Sequence, residues 1–162
     1  MSGNGLAYER RAAIAIVTID DAPYNRMSFA FMDALESLVG DIAADQQIRA
    51  VVTTTAGDQN FSVGMNLKEL LGSLGDPRRV DEILDQRLRV LSAIENMDKP
   101  WIATLFGNCL GGGLELRSPA TSGWRHTTAR TSACLSCTWA AFRPGAAARG
   151  WCGASAVTGR ST

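Results

Sequence analysis

The chain has 162 residues, room for one domain with a core of useful size. It is 46% hydrophobic and 20% charged with a formal net charge of zero, so no general attraction to nucleic acid or an anionic membrane is expected. No apolar run approaches the roughly 20 residues of a membrane span, and no basic patch with a following apolar stretch marks a secretory signal at the N-terminus.

The average conceals a division. Residues 1–116 carry ten Lys and Arg against sixteen Asp and Glu, whereas residues 117–162 carry six Arg, no Lys and no acid. Three of the four cysteines, Cys134, Cys137 and Cys152, lie in that second segment. The first, with Cys109 alone, has the thiol economy of a reducing compartment, and a cytoplasmic location is expected.

In chain order, residues 1–7 read as a loose terminus. Ala13-Ile-Ala-Ile-Val-Thr-Ile19 is apolar and β-branched and predicts a buried strand. Asp20 to Asn25 is a loop around Pro23. Ser28 is a candidate N-cap for a helix whose Phe31, Met32, Leu35, Leu38, Val39 and Ile42 recur at three- and four-residue steps. Its polar face carries Asp33, Glu36, Asp41 and Asp45. Ala50–Thr55 predicts a second strand. Phe61-Ser-Val-Gly-Met-Asn-Leu-Lys-Glu-Leu70 reads as a turn running into a short helix, broken at Gly72 to Gly75. Asp76-Pro77 is a good helix start, and Val80, Ile83, Leu84, Leu88, Leu91 and Ile94 form one apolar stripe behind it. Lys99-Pro100 ends that helix, and Trp101–Leu105 predicts a third strand. The plan is α/β, in which loops at strand ends build the site.

The third strand leads into Gly107-Asn-Cys-Leu-Gly-Gly-Gly-Leu-Glu-Leu116. Triple glycine lets backbone approach a ligand, and N–H groups opening a helix have no intrahelical partner. Glu115 sits in the first turn, where an acid also stabilises a helix without any chemistry. No Gly-Lys-Ser/Thr follows, which speaks against a phosphate loop, and the Gly-x-Gly-x-x-Gly of dinucleotide sites is absent from this stretch.

Together and in order, Asp21-Ala-Pro-Tyr-Asn25, Phe61 to Leu70, Lys99-Pro-Trp-Ile-Ala103 and Gly107 to Leu116 resemble the crotonase (enoyl-CoA hydratase/isomerase) family. The resemblance runs from about Ile14 to Leu116. It implies a crotonase-like fold of repeated ββα units, truncated here and followed by an irregular C-terminal tail. It also implies an acyl-CoA thioester substrate, with coenzyme A as part of the substrate and no separate cofactor or metal, and an oxyanion hole of two backbone N–H groups. Matched by position, these belong to Val63 and Gly112. The resemblance places Val63, Gly64, Met65, Asn66 and Gly112 against the substrate, with Asn66 where the family commonly has Asp, and the loop around Pro23 beside the adenine. Glu115 matches the first of two catalytic glutamates, the one that holds and activates water in hydration of a trans-2-enoyl-CoA. Isomerase, hydrolase and non-catalytic acyl-CoA-binding readings share the same residues. The family assembles as trimers or hexamers through C-terminal helices that find no counterpart here.

The domain expected is therefore 1–116, with 117–162 lacking a fold of its own. That tail has one Leu, one Val, no Ile and no Met, too little apolar material to offset ordering entropy. His126, Cys134, Cys137 and Cys152 are weighed as zinc ligands, but a second tight pair is missing. The interleaved Arg and Trp are weighed as a single-strand nucleic-acid surface. The reading that accounts for the tail, against these rivals, is a nucleotide lost just after the Leu116 codon. Shifted back one base, the codons permit Gly-Leu-Pro-Glu-Leu, the family's second glutamate motif, across Ala133-Cys-Leu-Ser-Cys137. Sequencing the gene across Leu116 tests this. A frame disruption relative to related genes is the expected outcome, and an undisturbed frame refutes it.

Overall fold

The computed structural model describes residues 3–117, 122–125 and 131–133. A five-stranded sheet in the order β1-β2-β4-β7-β9 forms its base. Its members are β1 (Leu6–Arg11), β2 (Ile14–Ile19), β4 (Ala50–Thr55), β7 (Trp101–Leu105) and β9 (Ser122–Arg125). β1 is antiparallel to β2, and the other neighbours are parallel. Alternation sends Ala15, Val17 and Ile19, Val51, and Trp101 to one buried face. The helices α1 (Phe29–Ala44) and α3 (Pro77–Glu95) close that face with Phe31, Met32, Leu35, Val39 and Ile42, and with Val90 and Ile94.

Each of three parallel strands is followed by a short strand off the main sheet and then by helix. After β2 come β3 (Arg26–Met27) and α1. After β4 come β5 (Asn60–Ser62), β6 (Gly64–Met65), α2 (Leu67–Ser73) and α3. After β7 come β8 (Asn108–Leu110) and α4 (Gly112–Arg117). β5 and β8 pair in parallel in a second sheet, and β3 pairs with β6. This is the repeated ββα plan that the sequence motifs implied.

The predicted boundaries fall close to the observed ones. Ser28 Oγ accepts the Phe31 N–H at 3.1 Å and caps α1. Asp76 accepts from Arg78 and Arg79 and caps α3, with Pro77 in the first turn. The edge strand β1 was expected in part as loose chain. Leu6 is its one buried residue, so no alternation announces it. Its hairpin turns through Ala12, at φ 54°, without the Asn-Gly or Asp-Gly that usually marks such a turn.

The apolar stripe expected on α3 needs correction. Leu84 and Leu88 are exposed, whereas Ile83, Val90 and Ile94 are buried. The inward face runs 83, 87, 90, 94 and so includes Arg87, whose side chain is 16% exposed.

Within 117–162, expected to lack a fold, two short strands are present. β9 pairs with β7, and β10 (Thr131–Ala133) pairs with β8. Both borrow partners from the N-terminal sheets through main-chain hydrogen bonds, which require no apolar side chains. His126, Cys134, Cys137 and Cys152 lie outside the described residues, as does most of the segment tied to a shifted frame. Among the described residues, no helix is long and apolar enough to cross a membrane.

The Lys99-Pro-Trp motif acts structurally. Lys99 Nζ donates to the carbonyls of Ile42, Ala43 (3.1 Å) and Asp45 (2.7 Å), neutralising the negative end of α1. Trp101, fully buried, donates its indole N–H to Thr53 Oγ1 at 2.6 Å. Lys99→Met removes that cap, and a loss of about 1–2 kcal/mol is expected. Urea unfolding monitored by circular dichroism measures it.

Candidate functional site

A buried polar network joins the loop before β3 to the turn after β4. Asn25 is fully buried at φ 49°. Its Nδ2 donates to the carbonyls of Ala56 (3.0 Å) and Asn60 (2.8 Å). Ser62 Oγ donates to the Asn25 carbonyl at 2.6 Å, and Asn60 Nδ2 donates to the Pro23 carbonyl at 2.7 Å. Asn108 Nδ2 closes the set on Asn60 Oδ1 at 2.6 Å. At the mouth of the loop, Arg26 grips Asp21 through two donors at 2.7 and 3.1 Å. That hydrogen bonding holds the Asp21 carboxyl below the usual carboxylate range, against a smaller opposing effect of burial. The stabilisation it supplies is complete above the ordinary range and is lost as pH falls through the lowered value.

This network sets the turn at 62–65 against the turn at 110–113. Gly64 has φ +94°, and a Cβ there would stand 2.9 Å from both Gly112 N and Leu110 O. The triple glycine has three separate causes. Gly111 takes φ +48°. A Cβ on Gly112 would stand 3.1 Å from Arg87 Nη2 and 3.3 Å from Met27 Sδ, and one on Gly113 would stand 2.7 Å from Ser62 Cβ. At Gly64 two backbones thus meet where a side chain cannot fit.

The positions expected to form the site fall as follows. Gly112 opens α4 at the contact. Glu115 lies in its first turn, with its N–H on the Gly111 carbonyl at 3.1 Å. The Val63 N–H, expected as an oxyanion donor, donates to the Tyr24 carbonyl of the neighbouring loop at 3.1 Å. Asn66 caps α2, accepting from Lys68 N at 3.2 Å and donating to Glu69 Oε1 at 2.9 Å. Glu69 Oε2 in turn accepts the Phe29 N–H at 2.8 Å, which ties α2 to the start of α1.

One residue of the site went unforeseen. The Glu115 carboxylate forms an ion pair with Arg87 Nη2, the two side chains being 22% and 16% exposed. A charged residue on an amphipathic helix normally reads as solvent-facing, and only its place in the 83, 87, 90, 94 series could have signalled otherwise. Among the described residues, no cluster of three or more acids, Cys or His could hold a metal ion. The arrangement offers backbone donors, one carboxylate and one guanidinium around a glycine contact.

Against known proteins, the family model for enoyl-CoA hydratase/isomerase matches residues 9–121. The short-chain-enoyl-CoA hydratase of Clostridium acetobutylicum is 29% identical over 117 residues, 72% of this chain and 44% of that protein. Pseudomonas aeruginosa DspI superposes with a TM-score of 0.75 at 25% identity, over 83% of this chain and 54% of that one. An enoyl-CoA hydratase from Bacillus anthracis gives a TM-score of 0.75 at 22% identity over 84% and 52%, a likeness of fold alone. The chain spans about half the length of the relatives it matches.

The glycine contact has a direct test. Gly64→Ala places a Cβ against Gly112 in a left-handed conformation, and a loss of about 2–4 kcal/mol is expected. Gly75→Ala, where a Cβ meets nothing within 4 Å, serves as the control and is expected to change stability by less than about 0.5 kcal/mol. Denaturant titration compares the two.

Proposed function

We propose that this chain, which belongs to the enoyl-CoA hydratase/isomerase family, binds the thioester of an acyl-CoA at the contact between the 62–65 and 110–113 turns. The observation that carries the reading is the backbone approach of Gly64 to Gly112 beside Glu115. Coenzyme A enters as part of the substrate, and no other cofactor is invoked.

The donors follow from register. Met27 pairs with Met65, and the Asn66 N–H donates to the Met27 carbonyl at 2.9 Å. In a parallel ladder one residue of each pair makes both bonds. Met27 is that residue, which leaves the Met65 N–H on the far side of β6. We assign Met65 and Gly112 as the two donors to the thioester oxygen, in place of Val63. Each fixed donor lowers the barrier to an enolate by roughly 3–4 kcal/mol in comparable sites.

In hydration of a trans-2-enoyl-CoA, water held by Glu115 adds its oxygen at C3 and gives its proton to the Glu115 carboxylate. The electron pair moves to the thioester oxygen, and C2 then takes a proton from a second acid. This sequence holds no acid after Glu115, so it lacks a counterpart to the second glutamate, and one carboxylate cannot serve as both flanking groups. The chain is therefore expected to bind the thioester with little or no turnover. Binding without catalysis is also favoured by the engagement of Glu115 with Arg87.

Calorimetry with butyryl-CoA and a crotonyl-CoA hydration assay test the two parts. Saturable butyryl-CoA binding with background hydration is the expected result. Hydration that Glu115→Gln lowers by about 10²-fold or more would establish a self-sufficient enzyme instead. Absence of any saturable CoA-thioester binding overturns the reading.

A further inference from the structure

Arg87 occupies the inward face of α3 at a place where Ile83, Val90 and Ile94 continue the series with apolar side chains. Its guanidinium lies against Gly112, with Nη2 and Cζ 3.1 and 3.6 Å from where a Cβ would stand, and pairs with Glu115 through Nη2. An arginine has five donors in a planar fork. Glu115 is its one salt-bridge partner among the described residues, and no side-chain nitrogen or oxygen among them is both buried and unsatisfied. Nε and Nη1, for which the structure gives no partner, are therefore not sealed off from solvent. A pair serving only to fasten α3 to α4 has no use for donors left open to solvent. A fork with donors to spare beside the reacting carbonyl fits a second carboxylate.

We propose that Arg87 makes the site selective for acyl-CoA thioesters whose acyl group carries its own carboxylate, held within a few carbons of the thioester. The proposal rests on the acyl-CoA reading above. The substrate carboxylate takes the outward donors of Arg87 and competes with Glu115 for the guanidinium. Binding of such a substrate then loosens the hold on Glu115 and turns its carboxylate toward the acyl chain. No covalent step is involved.

Glutaryl-CoA and butyryl-CoA differ by one carboxylate and are compared by calorimetry on the full 162-residue chain. Glutaryl-CoA is expected to bind about tenfold tighter or more, with the difference shrinking as salt is raised. Arg87→Met and Arg87→Lys, each checked for a cooperative thermal transition, are expected to bring the ratio to about one and to an intermediate value. Glu115→Gln removes the competing carboxylate and is expected to raise the ratio further by a few-fold. Equal affinities in the unaltered chain, or a preference that survives Arg87→Met, overturn the proposal while leaving the acyl-CoA reading intact. Failure of both esters to bind overturns the two together. A ratio that falls in Glu115→Gln shows that the pair acts as one structural unit, and it also overturns the proposal.

Discussion

The contact of two backbones at Gly64 and Gly112 is the constraint on which the arrangement of this site depends. It requires that Gly64 carry no Cβ and that the polar groups brought inside with the turns find partners. Asn25, Asn60 and Ser62 meet the second requirement, each bonded to main-chain carbonyls of the adjoining loop. A buried group left without its partner costs about 1–3 kcal/mol. The network therefore resists any shift of one turn along the other.

Around that rigid centre the charged residues are arranged in a less committed way. Arg87 and Glu115 come from different helices and meet at the edge of the glycine contact. Half-buried charges of opposite sign hold each other in place, and either alone would carry an unfavourable desolvation cost. Lys99 does comparable work at a distance: its ammonium settles the C-terminal carbonyls of α1, and so helps fix the helix that packs on the sheet beneath the site. Rigid backbone and paired side-chain charge are thus separate layers of one construction.

Much of the framework was legible from residues that act locally. Ser28 and Asp76-Pro77 cap the helices they were expected to cap, because a cap depends on its own residue and the next three. The strands at 50–55 and 101–105 were legible from β-branched and apolar runs. What escaped reading was decided elsewhere in the fold. β1 is an edge strand with one buried residue, so its sequence carries no hydrophobic rhythm. Leu84 and Leu88 look like core but lie on the solvent side of α3, while Arg87 looks like surface and lies inside. Val63 and Met65 stand two residues apart on one turn, and nothing in their side chains tells which backbone N–H is already spent on Tyr24. Tertiary partners settle such questions, and a count of apolar residues does not contain them.

The glycines of the contact also shape what the gene can tolerate. Every glycine codon begins with the same two bases, and any change in either replaces glycine with a residue bearing a Cβ or ends the chain. Gly107, where a Cβ would fall 1.8 Å from the Gln59 carbonyl oxygen, and Gly64 and Gly113 each exclude that atom for a different local reason. Across this part of the coding sequence, silent drift is confined to third positions. Gly64 and Gly113 have no conservative missense neighbours, so variation in such a site must enter through the side chains at its rim.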